Sequence, residues 1–483
     1  MIPLRSATLR PARRIAATAL MLATIGAAPA LAQVTAAPEL PAPPALTLPS
    51  PWRTTLPNGV TVIGVEMREV PLVRASLMIT GGGRLDGDRP GIASFTAGML
   101  DQGAGGRDAV GLAEDVAFLG ASLNTGANWD AFTISLSAPR RTFAEAMEIL
   151  ARVTLQPTFA SADVQRQRDL RLASIIQQRD QPGAVANLVF NREVYPAGHP
   201  YHAPLSGDSA STVALDSAAV RSFWTRAADP RRATFIISGD IAQAEAVALA
   251  ARMLGNWRAP ANPLPLPPAG SVPVPPVTGT RVILVDKPGA AQSIVNIGAP
   301  GPERASPDYP AITLMNTILG GSFSARLMNI LREQKGFTYG AGSSYSWRPV
   351  AGPFVASSAV RTDVTDSSLA IFFQEFTRIR DEPVPSAELE RARSYAVLGS
   401  LGDFETTGQV AGQVANALTF GMTLEQLPAE LNAIQRLTAA DVQRAARRHL
   451  DPDRLTVVVV GDLAKIRAGI EALNLGPVSV VEP

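Results

Sequence analysis

Asp229-Pro230-Arg231-Arg232-Ala233-Thr234-Phe235-Ile236-Ile237-Ser238-Gly239-Asp240 returns further along the chain as Asp451-Pro452-Asp453-Arg454-Leu455-Thr456-Val457-Val458-Val459-Val460-Gly461-Asp462. The Asp-Pro, Arg, Thr and Gly-Asp positions recur at one offset of 222 residues, and Leu215 and Val220 return at the same offset as Leu437 and Val442. Each copy reads as a helix (Val220 to Ala227, Val442 to Leu450), a Pro-bearing turn, a buried β-branched strand, and a Gly-Asp pair that opens another helix. One such recurrence in a chain of 483 residues implies two homologous halves. Around it, amphipathic helices such as Phe143 to Leu155 and Glu388 to Leu401 alternate with short strands and hairpins. The expected class is α+β, with helices packed on antiparallel sheets.

The organisation follows from composition. Residues 1–32 carry Arg5, Arg10, Arg13 and Arg14, then an apolar run from Ile15 to Leu31 ending in Ala30-Leu31-Ala32, which reads as an export signal with an A-x-A cleavage site. The context of Arg13-Arg14 fits twin-arginine export poorly, so Sec-type export to the periplasm is expected. No Cys follows the site to take a lipid anchor, and no later apolar run reaches the ~18 residues of a membrane span. Residues 33–51 are rich in Pro and Ala and read as a linker, 52–259 as the N-terminal half, 260–276 as a Pro-rich bridge and 277–478 as the C-terminal half. The chain holds no Cys, so apolar burial must support the fold without disulfides. Without the four signal arginines its net charge of +1 becomes −3. Acids and bases are interspersed, which argues against nucleic-acid binding and polybasic membrane attachment.

The chemistry concentrates in Leu331-Arg332-Glu333-Gln334-Lys335-Gly336-Phe337-Thr338-Tyr339. It reads as the last turn of a helix, a Gly terminator and the start of a strand. Arg332 and Tyr339 can then converge across the corner, one as a planar charged fork and the other as a neutral donor, suited to gripping a peptide carbonyl. Upstream, Ile312, Met315, Ile318 and Leu319 fall at helical spacing before Gly320-Gly321, and Ser322-Phe323-Ser324-Ala325-Arg326-Leu327 opens the helix that carries Arg332.

This order resembles the C-terminal half of the pitrilysin/insulysin/mitochondrial-processing-peptidase family of zinc peptidases. Leu56-Pro57-Asn58-Gly59-Val60-Thr61-Val62 is similar to the family's opening hairpin, with Asn-Gly as its turn. Gly91-Ile92-Ala93-Ser94-Phe95-Thr96-Ala97-Gly98-Met99-Leu100 stands where the family has its inverted H-x-x-E-H motif, whose two imidazoles hold zinc while the carboxylate serves as base. Residue by residue, the two ligand positions are Ser94 and Gly98, the base position is Ala97, and Gln167 stands where the third ligand, a Glu, is expected. The resemblance therefore implies a degenerate motif that binds no metal or other cofactor.

The resemblance also implies four modules, two per half, closing as a clamshell around a peptide chamber. Ser122, Leu123, Asn124 and Thr125 are similar to the strand along which the family pairs an extended substrate; they equally fit an edge strand blunted by polar residues. The function implied is that of a zinc-free subunit lending Arg332 and Tyr339 to a homologous H-x-x-E-H partner in a heterodimer, with zinc on the partner and a peptide as substrate. A non-catalytic peptide-binding or scaffold protein of the same descent is the alternative. A serine hydrolase is disfavoured: there is no G-x-S-x-G elbow, and three His offer few bases. Of these, His199 and His202 are separated by Pro200, which breaks a helix that would aim both at one metal. His449 lies near a helix end, where the dipole favours it.

Overall fold

The computed structural model describes residues 50–268 and 270–482, so the export signal and nearly all of the 33–51 segment lie outside the described residues. The N-terminal half runs β1 (Trp52–Thr55), β2 (Thr61–Glu66), β3 (Leu72–Thr80), α1 (Ile92–Gly98), β4 (Ser122–Ala127), β5 (Ala131–Pro139), α2 (Phe143–Leu155), α3 (Ser161–Arg179), α4 (Pro182–Val194), α5 (Ser217–Ala227) and β6 (Ala233–Gly239). The C-terminal half runs β7 (Arg281–Asp286), β8 (Gln292–Pro300), α6 (Tyr309–Leu319), β9 (Thr338–Tyr345), β10 (Pro353–Arg361), α7 (Thr365–Asp381), α8 (Thr407–Thr419), α9 (Ala439–His449), β11 (Thr456–Gly461) and β12 (Val478–Val480). β1 and β2 form the hairpin turned at Asn58-Gly59, where the Gly59 amide donates to Leu56 O at 2.9 Å.

The repeat extends to topology. The first sheet is ordered β1-β2-β6-β3-β5-β4 and the second β12-β7-β11-β8-β10-β9, so β2, β6, β3, β5 and β4 correspond in turn to β7, β11, β8, β10 and β9. The α+β class and the two related halves are observed. Two details differ from expectation. Each half is built on a single six-stranded sheet rather than two modules, and each sheet is mixed, because β6 returns parallel to β2 and β11 parallel to β7.

The reason lies in the apolar runs at the centre of each sheet. A strand covered on both faces reads as continuous hydrophobics rather than an alternation, and β11 is buried at all six positions. Val457 and Val459 face the helices of their own half, whereas Val458 and Val460 pack with Val185, Val189 and Phe190 of α4, a helix from the other half. The exchange is reciprocal: Phe235 and Ile237 of β6 face their own core, and Ile236 packs with Val410 and Val414 of α8. Each half thus lends one helix to cover its neighbour's sheet, so the halves are continuous in sequence but interlocked in packing.

Candidate functional site

Ser94, Ala97 and Gly98 lie on α1, with Ser94 partly exposed, Gly98 exposed one turn later and Ala97 wholly buried in the apolar core. Ser94 Oγ donates to Leu205 O at 2.7 Å. The Gln167 side-chain amide donates to Gln102 Oε1 at 2.9 Å and does not reach α1. The side chain from α3 that hydrogen-bonds to it is Arg171, one turn beyond Gln167 on the same face. Its Nη1 donates to Gly91 O and Ser94 Oγ, both at 3.1 Å, and to Ser206 O at 3.3 Å, while its guanidinium lies 4.9 Å from the centre of the Phe95 ring.

Asp86 completes this corner, accepting from the amides of Gly91 at 2.8 Å and Ala93 at 2.9 Å at the open N-terminus of α1. Burial raises its carboxyl to about 6, against the lowering pull of those two amides and of Arg171. Burial likewise lowers Arg171 to about 10, opposed by the charge of Asp86. Sequence reasoning missed both residues. Their partners are mostly backbone groups distant in sequence, and only the four-residue step from Gln167 to Arg171 could have pointed to the second.

A zinc ion does not fit these residues. Ser94 is committed to a carbonyl, Gly98 offers no ligand, Gln167 is turned to Gln102, and the charged group bonded to Ser94 is a cation. Among the described residues no cluster of three or more His, Asp or Glu side chains is arranged to hold a metal. His199 Nδ1 accepts from the Tyr201 amide at 3.1 Å, and its ring stacks on Tyr195 with centroids 4.7 Å apart. Burial and the nearby Arg348 lower it to about 4, so it is neutral near pH 7. His202 Nδ1 is bonded to Tyr195 O at 2.8 Å. His449, at the end of α9, meets the Asp308 carboxylate at 2.7 Å, a partner more specific than the helix dipole.

The second constellation differs from its expected form in one respect. The helix carrying Arg332 is a short α-turn, Arg326–Met328, followed by a π-turn, Asn329–Gln334, a distortion that frequently accompanies functional sites. Buried Arg326 ties this segment down, bonding Glu388 through two 2.8 Å contacts. Gly336 ends the segment at φ +63°, a left-handed conformation that suits glycine, and its amide caps Arg332 O at 3.1 Å.

Strand β9 then starts with a bulge between Thr338 and Ala341. Thr338 Oγ1 donates to Ala359 O at 2.7 Å and accepts from the Gly340 amide at 3.0 Å, which pins the bulge and leaves Tyr339 pointing outward, 90 % exposed. The Arg332 side chain is 39 % exposed; it contacts Glu333 at 3.2 Å and lies 5.0 Å from the centre of the Phe323 ring. Among the described residues no hydrogen bond joins Arg332 to Tyr339.

Beside Tyr339, a cleft of about 610 Å³ runs between α4 and the second sheet, lined by Gly320, Gly321, Phe323, Gly340 and Gly342. At its floor Asn296 Nδ2 donates to Asn187 Oδ1 at 2.9 Å, joining the two halves. Ser122, Leu123, Asn124 and Thr125 lie on β4, an edge strand bonded on one side only and packed beside α1. β9 is the equivalent edge of the other sheet.

The family model for insulinase (peptidase family M16) matches residues 62–197, and the model described as the peptidase M16 inactive domain matches residues 214–395. An uncharacterized zinc protease of Mycobacterium tuberculosis is 25% identical over 430 residues, 87% of this chain and 95% of that protein. A non-peptidase homolog of Helicobacter pylori is 23% identical over 411 residues, 84% of this chain and 93% of that one. Among solved structures, the peptidase M16 inactive domain from Pseudomonas fluorescens aligns with a TM-score of 0.79 at 26% identity, covering 85% of this chain and 98% of its own.

Proposed function

Because this chain belongs to the M16 insulinase family of peptidases, we propose that it acts as the zinc-free subunit of a two-subunit periplasmic peptidase. The observation that carries the reading is Tyr339. A tyrosine left 90 % exposed by a pinned bulge, with its hydroxyl free of any partner among the described residues, contributes nothing evident to folding and is available to a substrate. Arg332, one π-turn upstream, supplies the charged fork.

In this reading the partner carries the H-x-x-E-H motif and zinc. Tyr339 donates one hydrogen bond to the oxyanion that develops on the scissile carbonyl, and Arg332 holds a carbonyl of the same peptide. Donors aimed in advance at developing charge stabilise a transition state more than donors that must reorganise. The outer edge of β4, Ser122 to Thr125, pairs with the extended peptide by strand addition.

One observation favours the alternative, a non-catalytic peptide-binding or scaffold protein. Arg332 already contacts Glu333 and the Phe323 ring, and must leave Glu333 to serve a substrate. The two readings separate on capture of the tagged chain from its native cells. A co-purifying homologue with an intact H-x-x-E-H and zinc-dependent cleavage of an unstructured peptide supports the subunit reading. A captured assembly that contains no such homologue and cleaves nothing supports the scaffold.

A further inference from the structure

We propose that Arg171 is the built-in occupant of the degenerate metal cradle, and that its guanidinium excludes zinc even from a chain in which the two histidines have been restored. A structural metal cross-links the elements that carry its ligands. Here one guanidinium nitrogen binds Gly91 O and Ser94 Oγ on α1 together with Ser206 O, while Ser94 Oγ ties α1 to Leu205 O. Arg171 thereby joins α3, the start of α1 and the 205–206 segment, three pieces of chain distant in sequence.

The cation is half-enclosed, feels the charge of the Asp86 carboxylate and lies over the Phe95 ring, so the corner already contains the positive charge that its acceptors favour. A divalent ion arriving beside a fixed guanidinium meets like-charge repulsion in a poorly solvated site. The contacts at Gly91 and Gly207 are equally tight: a Cβ on Gly91 would come within 2.4 Å of Ser206 O, and one on Gly207 within 2.2 Å of Pro90 O. At Gly98, by contrast, a Cβ would meet nothing within 4 Å. Space for a second ligand is therefore present, and the obstacle is Arg171.

The test installs Ser94→His and Gly98→His in three backgrounds, Arg171 retained, Arg171→Gln and Arg171→Glu, and measures zinc after dialysis together with cobalt(II) visible absorption. Arg171→Gln removes the cation without adding a carboxylate, and there cobalt(II) absorption is expected at weaker affinity than with Arg171→Glu, its absence from a folded protein overturning the proposal. With Arg171 retained, no tightly held metal is expected. With Arg171→Glu, two imidazoles and a carboxylate converge and about one ion per chain is expected. Stoichiometric zinc with Arg171 retained overturns the proposal, and so does a folded Arg171→Glu protein that binds none. Arg171→Gln in the otherwise native chain tests the latch without any metal. Amide exchange at residues 91–94 and 205–207 should rise about tenfold, the loss expected for hydrogen bonds from a charged donor, while β11 stays protected. Unchanged exchange at both segments overturns it as well.

Discussion

Asp86→Asn changes the pH dependence of stability in a direction that its surroundings determine. Burial holds the native carboxyl at about 6, against 3.8 in the unfolded chain. Between those values the native protein binds a proton that the unfolded chain has already released, so stability falls as pH rises through the window and levels off above about pH 6. The difference corresponds to about 3 kcal/mol from this one residue. Asn carries no such charge. Urea unfolding of both proteins at intervals from pH 3.5 to 7.5 should therefore give a difference in unfolding free energy that moves in favour of the variant by about 3 kcal/mol. Other titrating groups are common to both proteins and cancel. Asn cannot accept both amide bonds, and it leaves Arg171 without its counter-charge, so the absolute offset differs from zero, but an offset independent of pH would refute the reasoning.

Other consequences are as direct. Phe190 is 2 % exposed, and its ring reaches the other half's sheet where a Cβ on Gly298 would come within 2.9 Å of it; Phe190→Ala should cost about 3–5 kcal/mol in urea unfolding. A loss below ~1 kcal/mol would show that the exchange of α4 between halves contributes little. Tyr339→Phe should leave stability unchanged within ~0.5 kcal/mol, because the side chain is exposed, while lowering kcat of the assembled peptidase by ~10²–10³. Arg332→Lys should also impair turnover, since a point charge does not reproduce a planar two-pronged donor; full activity in both variants assigns the pair a structural role.

The two-half architecture was legible because Asp-Pro, Thr and Gly-Asp recur at one offset with a buried strand between them. The Asn58-Gly59 hairpin, Phe143–Leu155 and the helix before Gly320 were legible for local reasons of turn chemistry and periodicity. The mixed sheets were not. Phe235 to Ile237 and Val457 to Val460 announce burial on both faces, but no local pattern says that the second face is covered by a helix from the opposite half. The absence of His, Asp and Glu from residues 91–100, and of Glu at 167, could be read directly. The Arg171 network that joins α3 to α1 could not, because it depends on carbonyls at Gly91 and Ser206 that any residue would supply. The exposure of Tyr339 rests on a bulge set by Thr338 and Gly340, and bulges leave little trace in a single sequence.

The most direct measurement of the central claim is hydrolysis of an unstructured peptide by this chain alone, by a co-captured H-x-x-E-H homologue alone, and by the two mixed in equal amounts with zinc present. A two-subunit peptidase should give no cleavage by this chain, little by the homologue, and cleavage by the mixture that falls ~10²–10³-fold with Tyr339→Phe. Cleavage by this chain alone, or a mixture no faster than the homologue, would contradict it.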